Sequence, residues 1–497
     1  MKTLLLLLAL SAPLCMRAGT FTIHVRAGEL GEEVVSLYRY ADLFTLRTVF
    51  VTSGLFSADG RTTLQGNVEG TEKMQLRMGD RTADLFVRAG SELFVEPVDL
   101  GAARSVNGTT RMGLNFEGID PLDINSLTTD LNDRIDAFLA EDLATDQAAG
   151  MNVLEVKRNE GRAATDPLKR PPTLFVTPVL SDARVDSFEW KLRRFYGEIR
   201  DPWFDHYLNH SIAGLRFGPR ADQKALFNTY LKGGTVCYDD PEFVRLIRTL
   251  FSDLLDRINM DHRDTLALLA AGGSRIPMTG LFQRNDFLRG DDRLAELVMM
   301  DQLYLKHAHK LVHMKDAETI LMDVLTNSAY PEHRGIASNM LWDITVMRVG
   351  STLPEMRLED PGGDRVQLRD LLQGPMCIAI TADWCTYCAT ELAGLMKIAA
   401  EYPDAVKVIV IGLDKSLEAF NAGMKKEPAN EFIWLHALAE QQLRDELRLR
   451  SLPAYFLLND DVLARSPAPL PSQGLAALFH QAHVHADKEQ RLRVWDE

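Results

Sequence analysis

The chain has 497 residues, 46% of them hydrophobic and 25% charged, the balance of an ordinary globular protein with room for about three domains. A formal net charge of -15 at pH 7 argues against nucleic acid or an anionic membrane surface as partner. Five cysteines are too few for a disulfide scaffold.

Met1-Lys2-Thr3 precedes the apolar run Leu4 to Leu10, and small residues follow near Ala18. This pattern predicts a secretory signal peptide over residues 1–18. The run is too short for a permanent transmembrane helix. Cys15 admits a lipoprotein reading, but Leu14 stands where such signals carry Gly or Ala. The expected location is the periplasm or cell envelope. The mature chain then keeps Cys237, Cys377, Cys385 and Cys388.

Residues 20–118 are β-rich. Candidate strands are Phe21 to Ala27, Val34 to Tyr40, Phe44 to Thr52, Thr62 to Val68, Lys73 to Met78, Thr82 to Val87 and Glu92 to Glu96. Short strands between turn signals suggest an antiparallel sandwich or barrel, and a sandwich-like domain is the expectation. Asp80 and Asp84 read as solvated residues, not an acid/base pair.

Residues 119–350 comprise a linker and an α-helical domain. Ile124 to Leu143 reads as a helix, and Gly161 to Pro172 as an exposed loop. Phe188, Leu192, Phe195 and Ile199 fall at helical spacing, and Asp239-Asp240-Pro241 reads as a cap and first-turn proline. Apolar stripes recur in Leu294 to Leu311, Ala317 to Leu325 and Gly335 to Val346. Trp203, Phe204 and Tyr207 read as core aromatics. His307, His309 and His313 are placed in one helix, where His309 and His313 at i, i+4 invite a metal reading. The Glu of a metalloprotease motif is missing, so surface histidines are the expectation. The same holds for His480, His483 and His485. No metal is expected.

Trp384-Cys385-Thr386-Tyr387-Cys388 carries the chemistry. The run Met376 to Thr381 before it reads as a buried parallel strand. Leu392, Leu395, Met396 and Ala399 after it read as one face of a helix. Cys385 then sits near a helix N-terminus, where unpaired N–H groups and the dipole favour a thiolate, the form that attacks disulfides. Two cysteines separated by two residues can close a small disulfide ring, Cys385–Cys388. CxxC at a strand-to-helix turn reads as a thioredoxin-like redox site. A zinc half-site would need a second Cys/His pair, and a purely structural ring would close too short a loop to stabilise much.

Residues 351–485 add an entry hairpin, Glu391 three residues after the second cysteine, Leu452-Pro453 opening a strand, and Pro469-Leu470-Pro471-Ser472 before a closing helix; residues 486–497 are a tail. With these features the segment resembles the thioredoxin-like domain of TlpA/ResA-type thiol–disulfide oxidoreductases, with β-rich and helical N-terminal extensions. The resemblance implies an α/β thioredoxin-like fold. It makes Cys385 the attacking thiolate and Cys388 the resolving thiol. Pro453 would be a cis-proline facing the disulfide, with Leu452 pairing to an extended substrate. Glu391 would move protons to or from Cys388, and Trp384 would cover one side of the site.

Thr386-Tyr387 has neither the Pro common in reductants nor the His common in oxidants. Asp383 and Glu391 are acidic neighbours, and no Lys or Arg is near in sequence. A modestly stabilised thiolate and a reducing site follow. Ala379, six residues before Cys385, leaves out the buried Asp of cytosolic thioredoxins.

The expected function is extracytoplasmic reduction of protein disulfides without a cofactor. The expected partners are disulfide-containing proteins and an electron-donating thiol–disulfide partner. A disulfide isomerase, or an envelope binding protein in which the redox domain is secondary, stands as alternative.

Overall fold

A computed structural model describes residues 19–27, 34–79, 81–104, 110–141, 182–218, 221–309, 311–403, 405–428, 430–449 and 451–484. The signal peptide, Asp80, the 161–172 loop, His485 and the 486–497 tail lie outside the described residues. The chain forms two compact units, one containing residues up to Ala103 and Thr110–Asn339, the other the residues from Met340 onward.

The first unit begins with β1 (Gly19–Arg26), β2 (Val34–Tyr40), β3 (Thr48–Leu55), β4 (Arg61–Val68), β5 (Thr71–Met78), β6 (Arg81–Arg88), β7 (Glu92–Arg104) and β8 (Thr110–Phe116). The strands make one eight-stranded sheet in the order β3-β2-β5-β6-β8-β7-β1-β4. This corrects the sandwich expectation: there is a single barrel-like sheet, not two facing ones. It is also not wholly antiparallel, since β1 runs parallel to β7 and β6 parallel to β8. Alternating side chains such as Phe21, Ile23 and Val25, and Met74, Leu76 and Met78, build its core. β3 starts later than expected. Asp42 accepts the backbone N–H groups of Phe44 and Thr45, at 2.8 and 2.7 Å, and Leu46 takes a φ of 55°, so these residues turn before the strand begins.

Helix α1 (124–141) is tied to this sheet by Asn125. Its amide accepts from Phe86 N at 2.7 Å and donates to Phe86 O at 2.8 Å. Among the described residues β8 pairs with β6 at Arg81 and Thr82, and the Asn125 side chain satisfies the backbone of Phe86 farther along β6. Helix α1 thus falls in the same compact unit as the sheet.

Helices α2 (Asp182–Phe195), α3 (Pro202–Leu215), α4 (Gln223–Tyr230), α5 (Pro241–Leu250), α6 (Leu254–Ala271), α7 (Arg275–Phe282), α8 (Asp292–Leu305) and α9 (Met314–Asn327) follow. Asp201, Asp222, Asp240 and Asp291 each cap a helix with a side-chain acceptor, and Pro202 and Pro241 open theirs. Leu192 faces the core, but Phe195 is exposed and Ile199 lies past the end of α2. Phe204 and Tyr207 are core residues, as read.

The histidine reading needs correction. His307 and His309 lie in a 3-10 turn, and His313 is the N-cap of α9. The helix ends at Leu305, so His309 and His313 do not share a helical face. No cluster that could hold a metal exists among the described residues. Nor is any described helix long and apolar enough to cross a membrane.

α10 (Pro331–Thr345) leads into the second unit, with β9 (Leu358–Glu359), β10 (Arg365–Val366), β11 (Pro375–Thr381), α11 (Thr386–Glu401), β12 (Lys407–Gly412), α12 (Leu417–Met424), β13 (Ile433–Ala437), α13 (Glu440–Glu446), β14 (Ala454–Asn459), β15 (Val462–Ala468) and α14 (475–484). Its sheet order is β10-β9-β13-β12-β11-β14-β15. β11 pairs parallel to β12 and antiparallel to β14. One face packs Ile378, Ile380, Ile409 and Ile411; the other packs Cys377, Ala379, Val408 and Val410 against Leu392 and Leu395 of α11 and Phe479 of α14. Burial on both faces explains the continuous apolar runs of β11 and β12.

Candidate active site

β11 and α11 place the two thiols. After Thr381 the chain turns, with Cys385 N donating to Ala382 O at 3.1 Å. Cys385 is the N-cap of α11, in extended conformation, and its sulfur accepts from Cys388 N at 3.2 Å. One N–H of the first helical turn, that of Cys388, thus points towards this sulfur at the positive end of the helix. Cys385 and Cys388 form a disulfide with a Cα–Cα distance of 5.2 Å. Cys385 is half-buried, while Cys388 is only 1% exposed. Of the two sulfurs, Cys385 is therefore the one within reach of an external group.

Trp384 and Tyr387 flank the disulfide as exposed aromatics. The Trp384 indole N–H donates to Leu413 O at 3.3 Å. The Leu452–Pro453 peptide is cis. Leu452 and Cys385 both pack against the same core cluster.

Glu391 is buried, 3% exposed. It accepts from Ser472 N at 3.1 Å and from Ser472 Oγ at 2.6 Å. Burial pushes its carboxyl up, but the Ser472 bonds and one from the Tyr387 hydroxyl outweigh burial and hold it below the usual range. The group is an anion with fixed donors. Its donor comes from the 3-10 turn Pro471–Gln473, the Pro-Ser element noted in the sequence, though nothing there pairs Ser472 with Glu391.

The surroundings of Cys385 correct one premise. No cation is near in sequence, yet Lys426 Nζ binds both carboxylate oxygens of Asp383 at 2.9 Å, and the Arg444 guanidinium lies 5.7 Å from the centre of the Trp384 ring. Turns and helices 43 and 60 residues away along the chain bring them in, beyond the reach of sequence neighbourhood. Sequence reasoning also missed Asp414 and His436. Asp414 Oδ1 accepts from Asp383 N at 2.9 Å. His436 links Glu359 Oε1, 2.8 Å from Nδ1, to Asp414 O, 2.9 Å from Nε2. The only signal was their place just past, or at the end of, parallel strands, where α/β folds collect functional groups.

Cys237 and Cys377 are free, buried thiols, each pushed up to about 12 by burial. His480 and His483 lie near the Tyr402 ring, with ring centres 5.6 and 5.9 Å away.

A disulfide at a helix N-terminus, after a parallel strand and in a domain with a cis X–Pro step, is the geometry on which the family comparison bears. Residues 349–463 match the AhpC/TSA family. This part of the chain is a thioredoxin-like domain. No curated protein is significantly similar to the chain. Among solved structures, it is similar to a thioredoxin-like protein from Bacteroides caccae, at 15% identity over 65% of this chain and 99% of that one, with a TM-score of 0.27. A thiol:disulfide interchange protein from Bacteroides sp. is 17% identical over 24% of this chain and 83% of that one, with a TM-score of 0.21. The C-terminal domain of an uncharacterized protein from Bacteroides fragilis is 18% identical over 27% of this chain and 97% of that one, with a TM-score of 0.23. The thioredoxin-like domain agrees with the TlpA-type resemblance of the sequence.

Proposed function

We propose that the chain reduces protein disulfides outside the cytoplasm through Cys385 and Cys388. The observation that carries this reading is the contrast between the two sulfurs: Cys385 is half-buried at a helix N-terminus and Cys388 is enclosed behind it. In the reduced protein the Cys385 thiolate attacks one sulfur of a substrate disulfide. A mixed disulfide forms, and the other substrate sulfur leaves as a thiolate and takes a proton. Cys388 then loses its proton and attacks Cys385 Sγ, which closes the ring and releases the second substrate thiolate. Two electrons and two protons pass to the substrate. Glu391, anionic and on the same helix, serves as the acceptor of the Cys388 proton. Leu452 offers backbone pairing to an extended substrate segment, and Trp384 borders the site.

The direction of flow rests on charge. Asp383 and Asp414 at the turn, Glu427 beside Asp383 and Glu391 in the first half of α11 are the carboxylates nearest the cysteines in the fold, against Lys426 on Asp383 and Arg444 over Trp384, with Lys397 and Glu401 in the last turns of α11. The excess of negative charge disfavours the thiolate and makes the dithiol the better reductant. A thiol–disulfide partner of the cell envelope must return the electrons.

Cys388→Ala in the full chain should accumulate mixed disulfides with envelope proteins, while Cys385→Ala should accumulate none. If Cys388→Ala traps no substrate and the reduced wild type fails to reduce insulin, the reading is wrong.

A further inference from the structure

Behind the CxxC turn lies a polar group that the proposed exchange does not yet use. Asp414 follows β12 and is 6% exposed. The 413–414 segment holds the chain entering Cys385 by three bonds. Leu413 N donates to Thr381 O at 2.8 Å, Asp383 N to Asp414 Oδ1 at 2.9 Å, and the Trp384 indole to Leu413 O at 3.3 Å. The Asp414 backbone is held in turn by His436, which is buried and paired with Glu359 on its other nitrogen. Both His436 nitrogens thus lie against oxygen atoms, which fixes the ring between β9 and the 413–414 segment.

We propose that Asp414 is a positioning residue for Cys385: it fixes the Asp383 peptide, two residues before the nucleophile, and once ionised its buried charge suppresses the Cys385 thiolate. The ring-closed disulfide is then favoured over the reduced form, so the dithiol gives up its electrons more readily, which deepens the reductase reading and rests on it. The groups facing this carboxyl are Asp383 in the turn, Lys426 after α12 and His436 on β13; Glu427 faces Asp383, and Glu359 on β9 faces His436. Burial first, then the Asp383 charge, push the Asp414 carboxyl up; the Asp383 N–H, His436 and Lys426 pull it back. In a poorly solvated site, a fixed carboxylate near a sulfur costs the thiolate more than an exposed one would.

Asn and Ser at this position keep an acceptor for Asp383 N but carry no charge, whereas Ala removes both. The test is the pH profile of iodoacetamide alkylation at Cys385, read by mass spectrometry on the dithiothreitol-reduced full chain. Wild type should show two inflections, one for the carboxyl and one for the thiol. Asp414→Asn and Asp414→Ser should show one inflection, with the thiol midpoint lower by about one pH unit. Between the wild-type carboxyl and thiol midpoints they should react about tenfold faster, because the thiolate fraction rises by that factor, and below the carboxyl midpoint the rates should converge. Asp414→Ala should also lose at least tenfold in insulin reduction at its alkaline plateau, while Asp414→Asn stays within about threefold. A purely structural role would lower the melting temperature and leave the profile of the folded protein unchanged. A single inflection in wild type overturns the proposal even if no variant folds. So does an Asn profile that superimposes on wild type. Alkylation needs no protein substrate, so a wild type with two inflections but no insulin reduction would sink the reductase reading and leave the Asp414 coupling standing.

Discussion

Ser472 meets both oxygens of Glu391, its hydroxyl at 2.6 Å and its backbone N–H at 3.1 Å. The 3-10 turn after β15 is thereby clamped to the middle of α11, and Gly394 is needed beside it, since a Cβ there would lie 3.0 Å from Pro471. Charged-acceptor bonds of this kind stabilise by about 1.5–3 kcal/mol. Because the Glu391 carboxyl is held below its ordinary value, the charge contributes fully above that ordinary value and is lost as pH falls through the depressed one. Glu391→Gln should therefore be less stable than wild type at pH 7 by about 1–2 kcal/mol. The gap should narrow as the pH is lowered through the depressed carboxyl midpoint. Urea unfolding at neutral and acid pH checks this, and a pH-independent gap would refute it.

Burial keeps Cys237 and Cys377 as thiols. With both pushed up to about 12, the reactive form at pH 8 is on the order of one part in ten thousand. Reduced native protein treated with iodoacetamide should label Cys385 first, Cys388 far more slowly, and the other two only after unfolding. Peptide mapping reads the order directly; rapid labelling of Cys377 in native protein would contradict it.

Gly412 ends β12 where a Cβ would lie 2.3 Å from a Phe420 ring atom and 2.9 Å from Asp414 Oδ2. Neither neighbour is the free end of a flexible chain, because Phe420 is 2% exposed and Asp414 is bonded to Asp383. Gly412→Ala should cost about 1–3 kcal/mol by overpacking and slow insulin reduction as the turn shifts. Equal stability and unchanged rates would show that the strand end relaxes freely.

Asn125 carries the edge of β6 beyond its short pairing with β8. Asn125→Leu would leave Phe86 N and Phe86 O without their partner in a buried setting, at a cost of about 2–3 kcal/mol. The loss should appear in the unfolding of the first unit, while thiol exchange by the thioredoxin-like domain stays at its wild-type rate. Reduced exchange in that variant would mean that the effect is not confined to the sheet.

The legible part of the protein was the part whose chemistry is local. Two sulfurs three residues apart can meet in a small ring, and a buried run followed by a 3.6-residue apolar period reads as a strand leading into a helix. Cys385, Cys388, the thioredoxin-like order of elements and the Asp240-Pro241 helix start needed nothing beyond their neighbours along the chain. Where the reading failed, contacts from elsewhere took over. Asp42 bent the expected start of β3 into a turn. α8 ended at Leu305 and took His307 and His309 out of their assumed helix. Strand order made one sheet, with two parallel pairings, where alternation alone allowed a sandwich or a barrel. The charge around the nucleophile shows the same division. Asp383 was visible because it is adjacent, but Lys426, Arg444, Asp414 and the Ser472 clamp on Glu391 were not, because a parallel sheet gathers the ends of strands that lie far apart in sequence. Covalent neighbours determined which two sulfurs form the ring; packing decided which charges surround them, since hydrogen bonds and Coulomb forces act across distances in space, not along the chain.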